Sequence, residues 1–120
     1  MTAGPQQARN LRRLTKRAQF LGAARGKRAG RTAFALQAVA VGEAEPGLGF
    51  TVTKKVGNSP ERNRVKRRLR AAARACADRF QPQHDYVLVG RREALTLPFG
   101  RLVADLGAAL GKLHDGRQAP

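Results

Sequence analysis

The chain has 120 residues, the length of one domain, and its 24 Lys and Arg against 8 Asp and Glu leave a formal charge of +16. A hydrophobic share of 42% suffices for a core, one cysteine excludes a disulfide framework or a Cys-based zinc site, and no apolar run approaches the ~20 residues of a membrane span. Eighteen arginines, six lysines and so little acid point to a polyanionic partner.

The charge is blocked rather than spread: +9 over residues 1–31, −2 over 32–53, +8 over 54–79 and +1 over 80–120. Residues 1–8, with Gly4 and Pro5, are expected to be a flexible tail, 9–114 a single domain and 115–120 a second short tail. The first residues lack the apolar stretch of a signal peptide, which predicts a cytoplasmic protein. Residues 15–24 read as a short helix with Thr15 as N-cap, followed by a basic loop between Gly26 and Gly30. Residues 32–41 are uncharged and read as a strand, although periodicity alone leaves a helix open. Residues 48–53 alternate cleanly and are expected to form a hairpin with that strand, and a further strand is placed around Lys54–Val56.

Ser59-Pro60-Glu61 predicts a helix start, with Ser59 as N-cap, and the helix should run from about 60 to about 80. At 100° per residue, Val65, Leu69, Ala72, Cys76 and Phe80 form one apolar seam. Asn63, Lys66, Arg67, Arg70 and Arg74 share the opposite face, with Arg64 and Arg68 on a flank. Residues 86–89 read as a strand, and Leu102, Val103, Leu106, Ala109, Leu110 and Leu113 give a last helix its stripe. The pattern is a mixed α+β sandwich, with helices packed on one sheet.

Three features carry chemistry. The helix bearing Arg62, Asn63, Arg64, Lys66, Arg67, Arg68 and Arg70 offers forked guanidiniums to phosphate; the alternative is a solvated face, which normally mixes its signs. Lys54 and Lys55 precede a helix N-terminus that attracts phosphate, or form an ordinary capped turn. Phe20 and Phe34 lie among cations and are either base-stacking rings or core residues. His84, His114 and Cys76 show no spacing that makes a metal site or a nucleophilic set.

Four segments, RLTKRAQF (13–20), GKR…FAL (26–36), GFTVTKKVGNSPERNRVKRRLRAA (49–72) and DYVLVGRR (85–92), together resemble the protein subunit family of bacterial ribonuclease P. The resemblance implies an α-β-β-β-α-β-α two-layer sandwich with a left-handed βαβ crossover. It implies a ribonuclease (an endonuclease holoenzyme) that removes the 5′ leader of precursor tRNA, with the catalytic centre and its Mg²⁺ in a large RNA and no catalytic residue in the protein. The domain would then be RNA-binding, with the catalytic RNA subunit and precursor tRNA as partners, no membrane and no DNA. Arg62, Asn63, Arg64, Lys66, Arg67, Arg68 and Arg70 would face the catalytic RNA. Phe20, Phe34, Lys54, Lys55, Arg13, Lys16 and Arg17 would line a cleft for the single-stranded leader. Gln19, Ala24 and Gln37 stand where the family usually has an acid and two aromatics, so stacking should be thinner here and leader contacts more electrostatic. A ribosomal protein or a DNA binder reading the major groove would share the charge but not need this arrangement.

Overall fold

Period-two alternation builds the centre of the molecule, and two helical stripes cover it. The computed structural model describes residues 11–114; the expected tails at 1–8 and 115–120 lie outside the described residues. In chain order the elements are β1 (Arg12–Arg13), α1 (Arg17–Ala24), β2 (Lys27–Gly30), β3 (Phe34–Ala40), β4 (Gly47–Thr51), α2 (Ser59–Ala75), β5 (His84–Gly90) and α3 (Phe99–His114). Short 3₁₀ turns occupy Lys54–Val56, Ala77–Arg79 and Arg92–Leu95. The strands form one mixed sheet in the order β1-β4-β5-β3-β2. β4 and β5 run parallel as neighbours joined through α2, and β3 pairs antiparallel with both β5 and β2.

The two faces differ. Phe34, Leu36, Ala38, Leu48, Tyr86 and Leu88 point toward α2 and α3, where they meet Val65, Leu69, Leu102, Leu106 and Leu110. The opposite face carries a smaller cluster of Leu14, Ala23 and Val87, with Phe20, Val39 and Val89 partly exposed around it. Among the described residues no helix is long and apolar enough to cross a membrane.

Several expectations need correction. The two strands expected to pair, β3 and β4, do not form a hairpin, because β5 is inserted between them and takes the hydrogen bonds of both. Lys54–Val56 is a 3₁₀ turn, not a strand. The third strand between α1 and α2 is instead Lys27–Gly30, where a basic loop was expected. Only Ala29 of that strand is buried, so its pairing with β3 leaves no apolar alternation to read. α1 begins at Arg17 rather than after a Thr15 cap, and Gln19 Oε1 accepts from the Thr15 and Lys16 N–H groups at 3.0 and 2.9 Å. Asn58, not Ser59, caps α2. α2 stops at Ala75 because Cys76 leaves helical geometry, and Phe80 reaches the core from beyond a separate turn.

Candidate nucleic-acid interface

The cationic helix owes its position to its first turn. Asn58 Oδ1 accepts from the Glu61 N–H at 2.9 Å, and Glu61 Oε1 accepts from the Asn58 N–H at 3.0 Å, a reciprocal capping box. Arg92 donates to the Val56 carbonyl at 2.7 Å and to the Glu61 carboxylate at 3.2 Å. The Arg92 hydrogen bond, and then the Asn58 N–H, hold the Glu61 carboxyl below the usual carboxylate range. Gly57 leaves room for that carboxylate, which any Cβ would meet.

Beyond the cap, α2 buries Val65, Leu69, Ala72 and Ala73 and turns Asn63, Arg64, Arg67, Arg70 and Arg74 to solvent. Asn63, Arg67, Arg70 and Arg74 follow steps of four, three and four and make a single stripe. Like charges at that spacing repel, so packing and the cap hold the helix while the stripe attracts anions.

Other cations are engaged in structure. Arg68, expected on the RNA face, donates to the Ala94 and Leu97 carbonyls at 2.5 and 2.7 Å and clamps the segment before α3, so both terminal nitrogens are occupied. Arg62 donates to the Gly57 carbonyl at 2.9 Å and to Ser59 Oγ at 3.1 Å, folding back on the cap. Arg12 pairs at 2.5 Å with Asp85, a carboxylate only 4% exposed, and ties β1 to the sheet.

A groove of about 650 Å³ opens along the β1–β4 edge, with Arg13, Phe20, Phe50, Lys66, Arg70 and Arg74 among its lining residues. Half-buried Phe20 lies over Gly49, where a Cβ would come within 2.7 Å of the ring. The Arg70 guanidinium sits 5.2 Å from the centre of the Phe50 ring. The upper stripe of α2 therefore forms a wall of the groove that Phe20 enters from the other side.

Lys16 and Arg17, exposed at the start of α1, and Lys54 and Lys55, exposed after β4, stand outside that lining. Phe34 does not join it. The ring is 0% exposed and packs beneath α2 and α3, so its expected place in the leader cleft is corrected. The alternation of β3 puts Gln37 and Val39, not Phe34, on the α1 side. Arg74 and Phe50 enlarge the expected set. Arg74 shares the helical face already legible in sequence, whereas Phe50 meets Arg70 only because β4 packs beneath α2.

The two histidines, far apart in sequence, meet at the other side of the sheet. Their ring centres are 4.9 Å apart, and the Tyr86 hydroxyl accepts from the Gln81 N–H at 2.9 Å and shares a hydrogen bond with His114 Nε2 at 2.6 Å. Burial, then His84 and Lys27, lower the His114 pKa, and burial pushes Tyr86 up to about 12. Cys76 is buried on the α2 seam as expected, and burial raises its thiol pKa.

A family model described as Ribonuclease P matches residues 8–114. The ribonuclease P protein component of Ruegeria pomeroyi is 50% identical over 106 residues, covering 84% of this chain and 85% of that protein. That of Brucella melitensis biotype 1 is 43% identical over 122 residues, covering 90% and 86%. Among solved structures, a Staphylococcus aureus RNase P protein mutant with defective mRNA degradation activity matches with a TM-score of 0.70 at 23% identity, over 82% of this chain and 84% of that one. The RNase P protein from Thermotoga maritima matches with a TM-score of 0.67 at 23% identity, over 82% and 91%. At such identities the solved structures speak for the fold and the sequence relatives for the family.

Proposed function

The chain belongs to the ribonuclease P protein family, and from that premise we propose that two adjoining surfaces divide the work, the α2 stripe facing the catalytic RNA and the edge groove holding the 5′ leader of precursor tRNA. As a ribonuclease P protein component it is part of an endoribonuclease holoenzyme and works with the ribonuclease P RNA. The observation that carries the division is the position of the stripe: Arg64 and Arg67 are exposed outside the groove lining, while Lys66, Arg70 and Arg74 line it with Phe20.

Physically, the cations reduce repulsion between two polyanions, and the Phe20 ring offers a stacking surface to an unpaired base. Arg13 on the groove wall, and Lys16, Arg17, Lys54 and Lys55 around it, supply phosphate contacts. Gln37 adds a hydrogen-bonding edge on the α1 side where an aromatic would stack. Arg62 and Asn63 present the capped start of α2 to RNA, and Arg68 stays with the fold. In this reading Mg²⁺ is bound by the RNA of the holoenzyme. The chain's own contribution is charge placement and strand binding.

The test is reconstitution with a bacterial catalytic RNA and precursor tRNA at low Mg²⁺. Cleavage should improve over RNA alone. Arg67→Glu should weaken assembly with the catalytic RNA, and Phe20→Ala should mainly weaken precursor affinity. Arg70→Glu, on the shared wall, should weaken both. Equal losses in both assays for Arg67→Glu and Phe20→Ala would sink the division.

A further inference from the structure

At the far edge of the sheet from the groove, three segments converge on a second basic pocket. The β2–β3 turn brings Gly30, Arg31 and Thr32, the residue after β5 is Arg91, and the first turn of α3 brings Arg101, with Asp105 one turn later. Arg91 is anchored: its N–H donates to the Ala33 carbonyl at 2.9 Å and its guanidinium to the Arg31 carbonyl at 2.6 Å. Arg101 Nε lies 3.3 Å from Asp105 while its side chain stays 57% exposed. Arg31 Nε is buried with no hydrogen-bond partner among the described residues.

Three features of the pocket are unfavourable without an anion. Three guanidiniums share the pocket with one carboxylate. Arg101 stands in the first turn of a sixteen-residue helix that has no acid there, where the helix dipole disfavours a cation. A buried N–H left without an acceptor costs free energy that an oxygen ligand would relieve. Forked guanidiniums, a threonine hydroxyl and the first turn of a helix are the donors that a tetrahedral oxyanion takes.

We propose that Arg31, Arg91 and Arg101 form a phosphodiester subsite for the RNA strand that crosses the end of the sheet. This rests on the reading above, in which that strand is the leader. The geometry of the sheet supports the path. β4 and β5 are parallel, so Lys54 and Lys55 after β4 and Arg91 after β5 emerge at one end. β3 is antiparallel to β5 and begins there, and the Arg31–Ala33 turn from β2 lies beside it. Three strand spacings, about 14 Å, separate β4 from β2 along this end. Cations thus flank a path short enough for one single strand to follow.

The test compares Arg101→Gln, Asp105→Asn and Arg101→Lys in the reconstituted holoenzyme, using precursors with short and long leaders and mature tRNA. Arg101→Gln should weaken the long-leader precursor by roughly fivefold and lower its log–log salt slope by about 1. Asp105→Asn, which frees Arg101, should tighten the same precursor; a purely structural Arg101–Asp105 pair would give both variants the same sign. Arg101→Lys should restore most of the affinity. Arg31→Gln should act like Arg101→Gln, and Arg101 being exposed keeps the test valid if that variant fails to fold. Inorganic phosphate should compete with the long leader in the wild type and lose that effect in Arg101→Gln. Equal loss on mature tRNA, or an unchanged salt slope on every RNA, overturns the subsite. Failure of the wild type to stimulate cleavage at all would instead overturn the underlying reading.

Discussion

The two faces of the sheet come from the same strands and do opposite things. On the α2–α3 side, Phe34, Leu36, Tyr86 and Leu88 are sealed under two long helices. On the α1 side an eight-residue helix covers a smaller cluster, and Phe20, Val39 and Val89 remain partly exposed. One face stores the stability. The other, thinly covered and bordered by cations, is available to a ligand. Regions that bind are drawn from the less tightly packed parts of a fold, and here the boundary falls between alternate residues of one strand.

The sharpest way to break that contrast is to truncate one ring on each side. Phe34→Ala should destabilise the fold by about 3–5 kcal/mol, read from the denaturant midpoint, because a fully buried ring leaves a cavity. Phe20→Ala should change the midpoint far less while weakening precursor affinity by about 1–3 kcal/mol, the worth of one stacked base. If the two variants were equally unstable, the α1 side would be core and the stacking role would fall. Arg67→Glu adds a third arm. Assembly with the catalytic RNA should weaken, its salt slope should drop by about 1, and the midpoint should hold or rise as like charges on α2 separate. A flat salt dependence between 50 and 200 mM in the wild type would remove the electrostatic account of that surface.

Smaller effects sharpen the picture. Asn58→Ala should cost about 1 kcal/mol in the midpoint through the lost cap, and with it a loss of assembly as the first turn of α2 frays. His114 tests the sealed side. Its pKa is lowered in the fold, so the unfolded chain binds the proton more readily, and stability should fall as pH drops from about 6.5. Midpoints at pH 7.5 and 5.5 should differ modestly, and His114→Gln should shrink the difference. A midpoint higher at pH 5.5 than at 7.5 would contradict the sign.

Local features of this fold were legible in sequence and long-range ones were not. The leucine stripe of α3 and the period-3.6 seam of α2 from Val65 to Ala72 are written in contiguous residues and are observed where expected, whereas Cys76 and Phe80 reach the core from beyond the helix. Ser59 is the expected cap, yet Asn58 takes that place because it stands three residues before Glu61, the spacing of a capping box. β2 is four residues with two charges, and its partner β3 alone makes it a strand. Phe34 looks like Phe20 to a reader of composition, since both sit among cations. Period-two counting puts it with Leu36 and opposite Gln37, but which face is closed depends on where α2 and α3 land. Arg68 and Arg12 are likewise indistinguishable from the free arginines until Ala94, Leu97 and Asp85 are brought beside them. Charge counts therefore overstated the RNA-facing set, and the groove drew in Arg74 from the cationic face of α2 and Phe50 from a strand read only for its alternation.

The outer strands of the sheet have a further effect. β1 is two residues long and is made of Arg12 and Arg13, and β2 is four residues long and opens with Lys27 and Arg28. An open strand edge is a template on which a second copy can polymerise, and short, cation-bearing edges are the usual defence. Two copies approaching edge to edge would press guanidinium and ammonium groups together before any backbone hydrogen bond formed. The charge that recruits nucleic acid thus also guards the naked protein against self-association.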